Sequence, residues 1–178
     1  MSFLLKEGKE RMNEKKVAVV MGSDSDLKIV KEAIKTLKNF EINTEIFIMS
    51  AHKSPDITAE FAKNAKSRNF AVIIAAAGMA AHLAGVIASY TTLPVIGLPI
   101  NCSLNGVDAL ISTVQMPPKV PVLTVGVNAA ENAAIAACQI LAIHNKNLEN
   151  KLEKLKESVK NSIAEKNENL KLTDSLLL

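Results

Sequence analysis

The sequence predicts an α/β fold, in which a parallel five-stranded sheet is doubly wound and carries helices on both faces. Five short apolar runs alternate with stretches in which apolar residues recur at helical spacing. The runs are nearly all apolar, as in strands that are covered on both sides. Right-handed crossovers between parallel strands place helices on both faces, which favours a three-layer, flavodoxin-like arrangement.

The predicted elements follow one another in strand–helix order. The run 17–21 is the first strand, and the helix after it has apolar residues at helical spacing: Leu27, Val30, Ile34 and Leu37. The second strand is predicted at 44–49, and Pro55 opens its helix because proline is favoured in a first helical turn. The third strand is predicted at 71–75, followed by a helix up to about 89. The fourth is predicted at 94–98 with a helix at 107–114, and the fifth at 121–125 with a helix at 129–143.

Residues 71–90 are apolar and long enough to cross a bilayer, but we predict no membrane span there. Gly78 and Gly85 interrupt the segment, and much of it is alanine. A buried strand, a loop of small residues and a buried helix explain the segment better.

Four regions are predicted along the chain. Residues 1–15 are an N-terminal extension, and residues 16–145 are the α/β domain that carries the activity. Region 146–168 is predicted to be an amphipathic helical arm, which packs on its own domain or on a neighbouring subunit. Its apolar stripe consists of Leu148, Leu152, Leu155, Val159 and Ile163. Residues 169–178 are predicted to be a loose tail.

The composition argues against several classes of function. A net charge of +3 over 178 residues, with 3% aromatic residues and no tryptophan, argues against nucleic-acid binding. Cys102 and Cys138 lie far apart and match no metal-ligand spacing, so we predict reduced thiols in a cytoplasmic protein. Three scattered histidines cannot complete a metal cluster with them, and no metal site is predicted.

The sequence after the first strand suits a phosphate. Ser23, Ser25 and Asp26 lie in a Gly-Ser-Asp-Ser-Asp run directly before a helix. Backbone N–H groups at a helix N-terminus attract anions, and serine hydroxyls add donors. The run is neither a P-loop nor a GxGxxG fingerprint, and taken alone it is explained by an ordinary helix cap.

His52 is the most informative residue, because it follows the second strand in the run Ser50-Ala51-His52-Lys53. In an open α/β sheet, ligands bind beyond the carboxyl ends of the strands. A histidine there can exchange protons near neutral pH, and a lysine can hold an anion. Taken alone, the segment slightly favours a loop histidine with no chemical role.

Two further strand ends complete the predicted crevice. Small residues after the third strand would let a flat ligand approach the backbone, and the same loop carries Met79 and His82. Helix–sheet packing and a hydrogen-bonded histidine are the simpler explanations there. The fourth stretch, 101–108 with 115–118, is predicted to close over the site or to meet another subunit. These groups favour a phosphorylated small molecule as ligand and acid–base chemistry. A catalytic triad assembled from residues that are distant in the sequence remains an alternative.

Four motifs, in this order and at this spacing, resemble the family of 5-(carboxyamino)imidazole ribonucleotide mutases of de novo purine synthesis. They are Met21-Gly22-Ser23-Asp24-Ser25-Asp26, Ser50-Ala51-His52-Lys53-Ser54-Pro55, 78–83 and Ser112-Thr113-Val114-Gln115-Met116-Pro117. The resemblance covers about residues 16–160. It implies that a carboxylate moves from the exocyclic nitrogen of an aminoimidazole ribonucleotide to ring carbon C4, without ATP, metal or organic cofactor. It also implies an octamer with sites at subunit junctions.

The resemblance further implies roles for individual residues. His52 matches the general acid/base, which protonates the nitrogen as CO2 leaves and later removes the C4 proton. The residues expected at the substrate are Ser23, Ser25, Asp26, Ser50, Lys53, Gly78, Met79 and His82. Asp26 is expected on the ribose hydroxyls, Lys53 with two serines around the phosphate, and the loop after the third strand beside the imidazole and CO2.

Four positions depart from the family's usual pattern. Lys53 stands where arginine is usual, Met79 and Lys119 where glycine is frequent, and Ala84 where proline is common. Lysine keeps the charge but loses the bidentate fork of arginine, so phosphate affinity is expected to be weaker. Met79 narrows the loop and is expected to reshape the CO2 pocket.

Two alternatives remain at this point. A sister enzyme on the same fold carboxylates aminoimidazole ribonucleotide directly with CO2, but the run Met79-Ala80-Ala81-His82-Leu83 looks like the mutase form. The second alternative is a non-catalytic flavodoxin-like binding or signalling module. A receiver domain needs an aspartate after the third strand, where this chain has Ala75-Ala76-Ala77-Gly78. A flavin site usually has aromatic rings at the isoalloxazine, and this chain has one tyrosine and no tryptophan.

Overall fold

The computed structural model describes residues 15–174, with side chains through residue 170. All strands belong to one parallel sheet: β1 Lys16–Met21, β2 Thr44–Ile48, β3 Phe70–Gly78, β4 Val95–Ile100 and β5 Leu123–Thr124. Their order across the sheet is β2-β1-β3-β4-β5, so the direction of winding reverses between β1 and β3. The predicted doubly wound, flavodoxin-like fold is confirmed.

Six helices follow in the described residues: α1 Leu27–Asn39, α2 Pro55–Asn64, α3 Leu83–Tyr90, α4 Val107–Val114, α5 Ala130–Ala142 and α6 Lys146–Asp174. Helices α1 and α5, with the start of α6, pack on one face of the sheet, and α2 and α3 pack on the other. Successive residues of a strand point to opposite faces, so Val19 contributes to the first layer of core and Val20 to the second.

The fifth strand is much shorter than the predicted span 121–125. It pairs with β4 only through Leu123 opposite Ile96 and Thr124 opposite Gly97. Pro121 has no N–H to donate to the ladder, which delays the start of pairing. Strand β3 is longer than the predicted span 71–75. It extends to Gly78, and its backbone therefore reaches the cavity described below.

The C-terminal helix begins at 146 as predicted but continues to Asp174, so residues 169–174 are helical rather than a loose tail. Only its first turns pack on the domain, where Leu148 and Leu152 are 2% and 8% exposed. Lys151 also pairs with Glu41 at 2.7 Å. The rest of α6 is rich in Lys, Glu and Leu, which favour a helix without further packing.

Two predictions concern regions at the ends of the chain. Apart from Lys15, the N-terminal extension predicted at 1–15 lies outside the described residues, as does 175–178. Between residues 15 and 174, no helix is both long enough and apolar enough to cross a membrane. The segment 71–90 is a buried strand, a loop and a helix, as predicted.

Candidate active site

Three strand ends open into one cavity of about 410 Å³. The carboxyl ends of β1, β2 and β3 lie side by side where the winding reverses, which is where open α/β sheets bind ligands. All nine residues singled out from the sequence line the cavity: Ser23, Ser25, Asp26, Ser50, His52, Lys53, Gly78, Met79 and His82. The remaining lining residues are small or apolar: Gly22, Ala51, Ala77, Ala80, Leu83 and Cys102.

The turn after β1 is held in place by its own polar side chains. Ser23 caps a short 3-10 turn, and its N–H donates to the Asp26 carboxylate at 3.2 Å. The Ser25 N–H and the Ser25 hydroxyl both donate to the Ser23 Oγ, at 3.4 and 2.9 Å. The helix-cap interpretation is therefore correct. It is compatible with ligand binding, since both serines also line the cavity.

Asp26 is a buried carboxyl at the wall of this cavity, only 4% exposed. Its burial raises the pKa of the Asp26 carboxyl, and the neighbouring Asp24 adds to the rise. Hydrogen bonds from Ser23 and Ser25 and the positive charge of Lys53 oppose it without cancelling it. A carboxyl that is kept from water beside an open cavity is typical of a functional position.

The turn after β2 presents His52 and Lys53 at the rim of the cavity. Ser50 organises this turn, because its Oγ accepts from the Lys53 N–H at 3.1 Å and its carbonyl oxygen accepts from the Ser54 N–H at 2.9 Å. Ser54 in turn accepts from the Ser50 N–H at 3.0 Å and precedes Pro55 in the first turn of α2. The backbone of the turn is therefore fixed, while the side chains of His52 and Lys53 stay exposed.

His52 and His82 contact each other in the cavity. The Nε2 atom of His52 lies 2.9 Å from the Nδ1 atom of His82, with the two rings at 75°. A hydrogen bond at this distance needs one nitrogen to carry the proton and the other to accept it. The contact was not predicted, since thirty residues separate the histidines and only the sheet order brings their strand ends together. The pair places an exchangeable proton at the cavity wall.

Gly78 is required where β3 and β4 approach each other. A Cβ atom at this position would lie 2.3 Å from the Cys102 Sγ and 3.1 Å from the Ile100 carbonyl oxygen. Cys102 is thus a cavity residue that was missed, although its position two residues after the end of β4 was a usable signal. Desolvation raises the pKa of the Cys102 thiol, and the charges of Asp26 and Asp108 add to the rise. The neutral thiol is therefore favoured over the reactive thiolate.

The fourth predicted stretch reaches the cavity only through Cys102. Gln115, Met116 and Pro117 line a separate groove, which meets the cavity at His82. The Met116 Sδ lies 3.0 Å from the place of a Cβ at Gly85, so this segment packs on α3. Within the single chain, 115–118 does not line the cavity, because α4 carries the chain away from the sheet edge first. The alternative for this stretch, a contact with another subunit, stays a prediction.

A second cavity of about 410 Å³ lies at the other end of the sheet, near the amino ends of the strands. It is lined by Lys15, His144 and Lys151 among others, and Lys151 is already paired with Glu41. None of the predicted site residues reaches it. Within residues 15–174, no group of three or more His, Cys, Asp or Glu side chains is placed to hold a metal ion.

Known proteins match the chain over most of its length. The AIR carboxylase family model matches residues 16–162. The N5-carboxyaminoimidazole ribonucleotide mutase of Pyrococcus abyssi is 51% identical over 146 residues, which are 82% of this chain and 84% of that protein. The phosphoribosylaminoimidazole carboxylase of Schizosaccharomyces pombe is 45% identical over 94% of this chain and 30% of its own length. The crystal structure of Treponema denticola PurE superposes with a TM-score of 0.80 and 27% identity, covering 88% of this chain and 99% of that one.

Asp26→Asn is expected to stabilise the folded protein at neutral pH. Since burial raises the pKa of Asp26 in the folded state, its contribution to stability is present at low pH and is lost as the pH rises through the raised value. The amide stays neutral and can still accept from the Ser23 N–H. Urea unfolding midpoints between about pH 4 and about pH 8, at fixed protein concentration, should show a gain that grows with pH.

The matched control is Asp56→Asn, since Asp56 is an exposed aspartate in the first turn of α2. Its carboxylate is stabilised by the helix N-terminus, so the amide should bring no gain at neutral pH. A loss of stability in Asp26→Asn that grows as the pH rises would contradict the burial cost assigned to Asp26.

Proposed function

The chain belongs to the AIR carboxylase family, and we propose that it is a 5-(carboxyamino)imidazole ribonucleotide mutase of purine biosynthesis. The reaction moves a carboxylate from the exocyclic nitrogen of the ribonucleotide to ring carbon C4. One observation carries the proposal: a histidine, a lysine and a capped Ser–Asp turn meet in one cavity of a chain that is 51% identical to a mutase.

His52 is proposed as the acid/base of both half-reactions. In the first, the C–N bond to the carboxylate breaks, its electron pair goes to nitrogen, and protonated His52 supplies the proton as CO2 leaves. In the second, C4 bonds to CO2 and His52 takes the C4 proton, which restores the aromatic ring. The histidine ends as it began, so no further acid or base is consumed. Its contact with His82 supports this role, because it holds the ring at the cavity wall.

The nucleotide is proposed to lie across the three strand ends. Lys53 and the hydroxyls of Ser25 and Ser50 are charged or polar groups suited to its phosphate, and all three line the cavity. Asp26 is proposed to accept hydrogen bonds from the ribose hydroxyls. Gly78 and its small neighbours leave a flat wall for the imidazole ring.

A direct carboxylase is the second candidate, and the similarity to the Schizosaccharomyces pombe carboxylase favours it. Both reactions pass through the attack of C4 on CO2, so the same cavity and acid/base serve either one. They differ in where the CO2 comes from. The mutase reaction is favoured because three relatives that are 46–51% identical to this chain, and are matched over most of their own length, carry that name.

We also propose that the protein is an octamer located in the cytoplasm. Large apolar side chains stay more than half exposed in a single chain, including Ile48 on the edge strand β2 and Val159 and Ile163 on α6. Apolar patches of this kind mark contact surfaces. The α6 arm, on which Val159 and Ile163 stay more than half exposed, is suited to reach a neighbouring subunit. The cytoplasmic location is supported by two free cysteines.

The mutase reaction is tested by offering two substrates to the purified protein. With the carboxyamino ribonucleotide alone, we expect rapid formation of the C4 carboxylate without added bicarbonate, measured by its ultraviolet absorbance. With aminoimidazole ribonucleotide and bicarbonate, turnover should be much slower. Useful turnover of only the second pair would assign the chain to the carboxylases.

His52→Asn is expected to lower kcat about 10²–10⁴-fold, since it removes the proton carrier. Substrate binding, measured by calorimetry, should stay near that of the wild type. His82→Asn keeps the proton carrier and removes only its partner, so its loss should be smaller. The control is His144→Asn at the exposed third histidine, which lies outside the cavity and should turn over normally. Near-normal turnover in His52→Asn would exclude the assigned role.

Light scattering should give the mass of eight chains of 19.1 kDa for the wild type. Ile163→Glu places a charge on the exposed apolar stripe of α6 and should shift the protein to smaller species. Lys160→Glu, on an exposed position one turn away, is the control and should keep the wild-type mass. A monomeric wild type at micromolar concentration would exclude the octamer.

A further inference from the structure

We infer that Met79 is the side chain that keeps CO2 in the cavity between the two half-reactions; this inference rests on the proposed mutase function. Met79 directly follows β3 and lines the same cavity as His52 and His82. Its neighbours Gly78, Ala80 and Ala81 are small, so it is the bulky apolar side chain of this loop.

The backbone of Met79 lies in the left-handed region, with a φ of +56°. Residues with a Cβ seldom adopt this conformation, because the Cβ crowds the following carbonyl oxygen. The flanking residues impose it: Gly78 is still paired with Ile100 in the sheet, and Ala81 and Leu83 are buried in the core. Strain of this kind persists only where the surroundings over-determine it, and it concentrates at functional sites.

The side chain of Met79 is 61% exposed, although it is large and apolar. Of the other apolar residues that line the cavity, Ala51, Ala77 and Ala80 are too short to cover a ligand, and Leu83 is only 2% exposed because it is packed in the core. Methionine is long and flexible, and its polarizable sulfur packs well against flat rings. Met79 is therefore suited to cover a bound imidazole, while its fixed backbone keeps it at the cavity mouth.

The reaction has a particular need for such a cover. CO2 is uncharged and forms only weak hydrogen bonds, so Lys53 and the serines have little hold on it. If it escapes after the C–N bond breaks, aminoimidazole ribonucleotide is left and the turnover is lost. A steric barrier keeps CO2 beside C4 at high effective concentration, which makes recapture faster than escape.

The experiment measures how often external CO2 replaces the original carboxylate. Each variant converts unlabelled carboxyamino ribonucleotide in ¹³C-bicarbonate with carbonic anhydrase, and mass spectrometry gives the ¹³C fraction of the early product after subtraction of an enzyme-free blank. The wild type should incorporate little label. Met79→Gly and Met79→Ala should each incorporate at least about three-fold more, because both lose the cover and so the retained CO2. Met79→Leu keeps the bulk and should stay near the wild type.

Two comparisons separate bulk from backbone strain. Alanine keeps the strained left-handed backbone whereas glycine relieves it, so equal labelling in both variants assigns the effect to the side chain. Lys119→Gly makes the same backbone change at an exposed residue with a φ of +75° outside the cavity, and should label as the wild type does. Wild-type labelling in Met79→Gly and Met79→Ala, or a rise in the glycine variant alone, would overturn the inference. A wild type that forms no product from the carboxyamino ribonucleotide would instead refute the proposed function.

Discussion

The site depends on the position of β1 between β2 and β3. Both edges of β1 are paired in parallel, so the carboxyl ends of the three strands are held at one level within a few ångströms. The helices after β1 and β3 leave toward opposite faces of the sheet, which leaves the gap between them uncovered. Because the sheet is uncovered where the winding reverses, the three loops after these strands line one cavity. The same arrangement brings the side chain of His52 into contact with that of His82.

The cavity is assembled from features that cost stability. Asp26 is buried as a carboxyl, Met79 holds a left-handed backbone, and Gly78 gives up a side chain so that Cys102 can approach. A residue held in a strained backbone conformation, as Met79 is, costs about 1–3 kcal/mol. The central strands β1, β3 and β4 meet that cost, since they are buried on both faces and packed by aliphatic side chains and alanines. A rigid sheet thus holds a site whose loops are not at their own lowest energy.

A single chain leaves its apolar pattern only partly satisfied. The second half of strand β2 is apolar, as in a covered strand, but Ile46 and Ile48 are exposed at the sheet edge. The stripe of α6 is buried at Leu148 and Leu152 and uncovered from Val159 onward. The proposed octamer would account for both observations, because residues that are selected for burial between subunits look like core residues in the sequence.

The sequence by itself determined the class of fold, the order of its elements and nine of the fifteen residues that line the cavity. Apolar periodicity reports whether a segment is buried, and small, capping or charged residues at strand ends report where a ligand can approach. The tertiary structure alone decided which of these groups meet. The contact of His52 with His82 and the approach of Cys102 to Gly78 depend on strand order, and neither leaves a local signature. The same reason explains where the structure differs from the prediction. Strand β5 has two residues because only Leu123 and Thr124 find pairing partners on β4, and Met116 packs on α3 instead of lining the cavity. Local hydrophobicity reports neither of these contacts between distant parts of the chain.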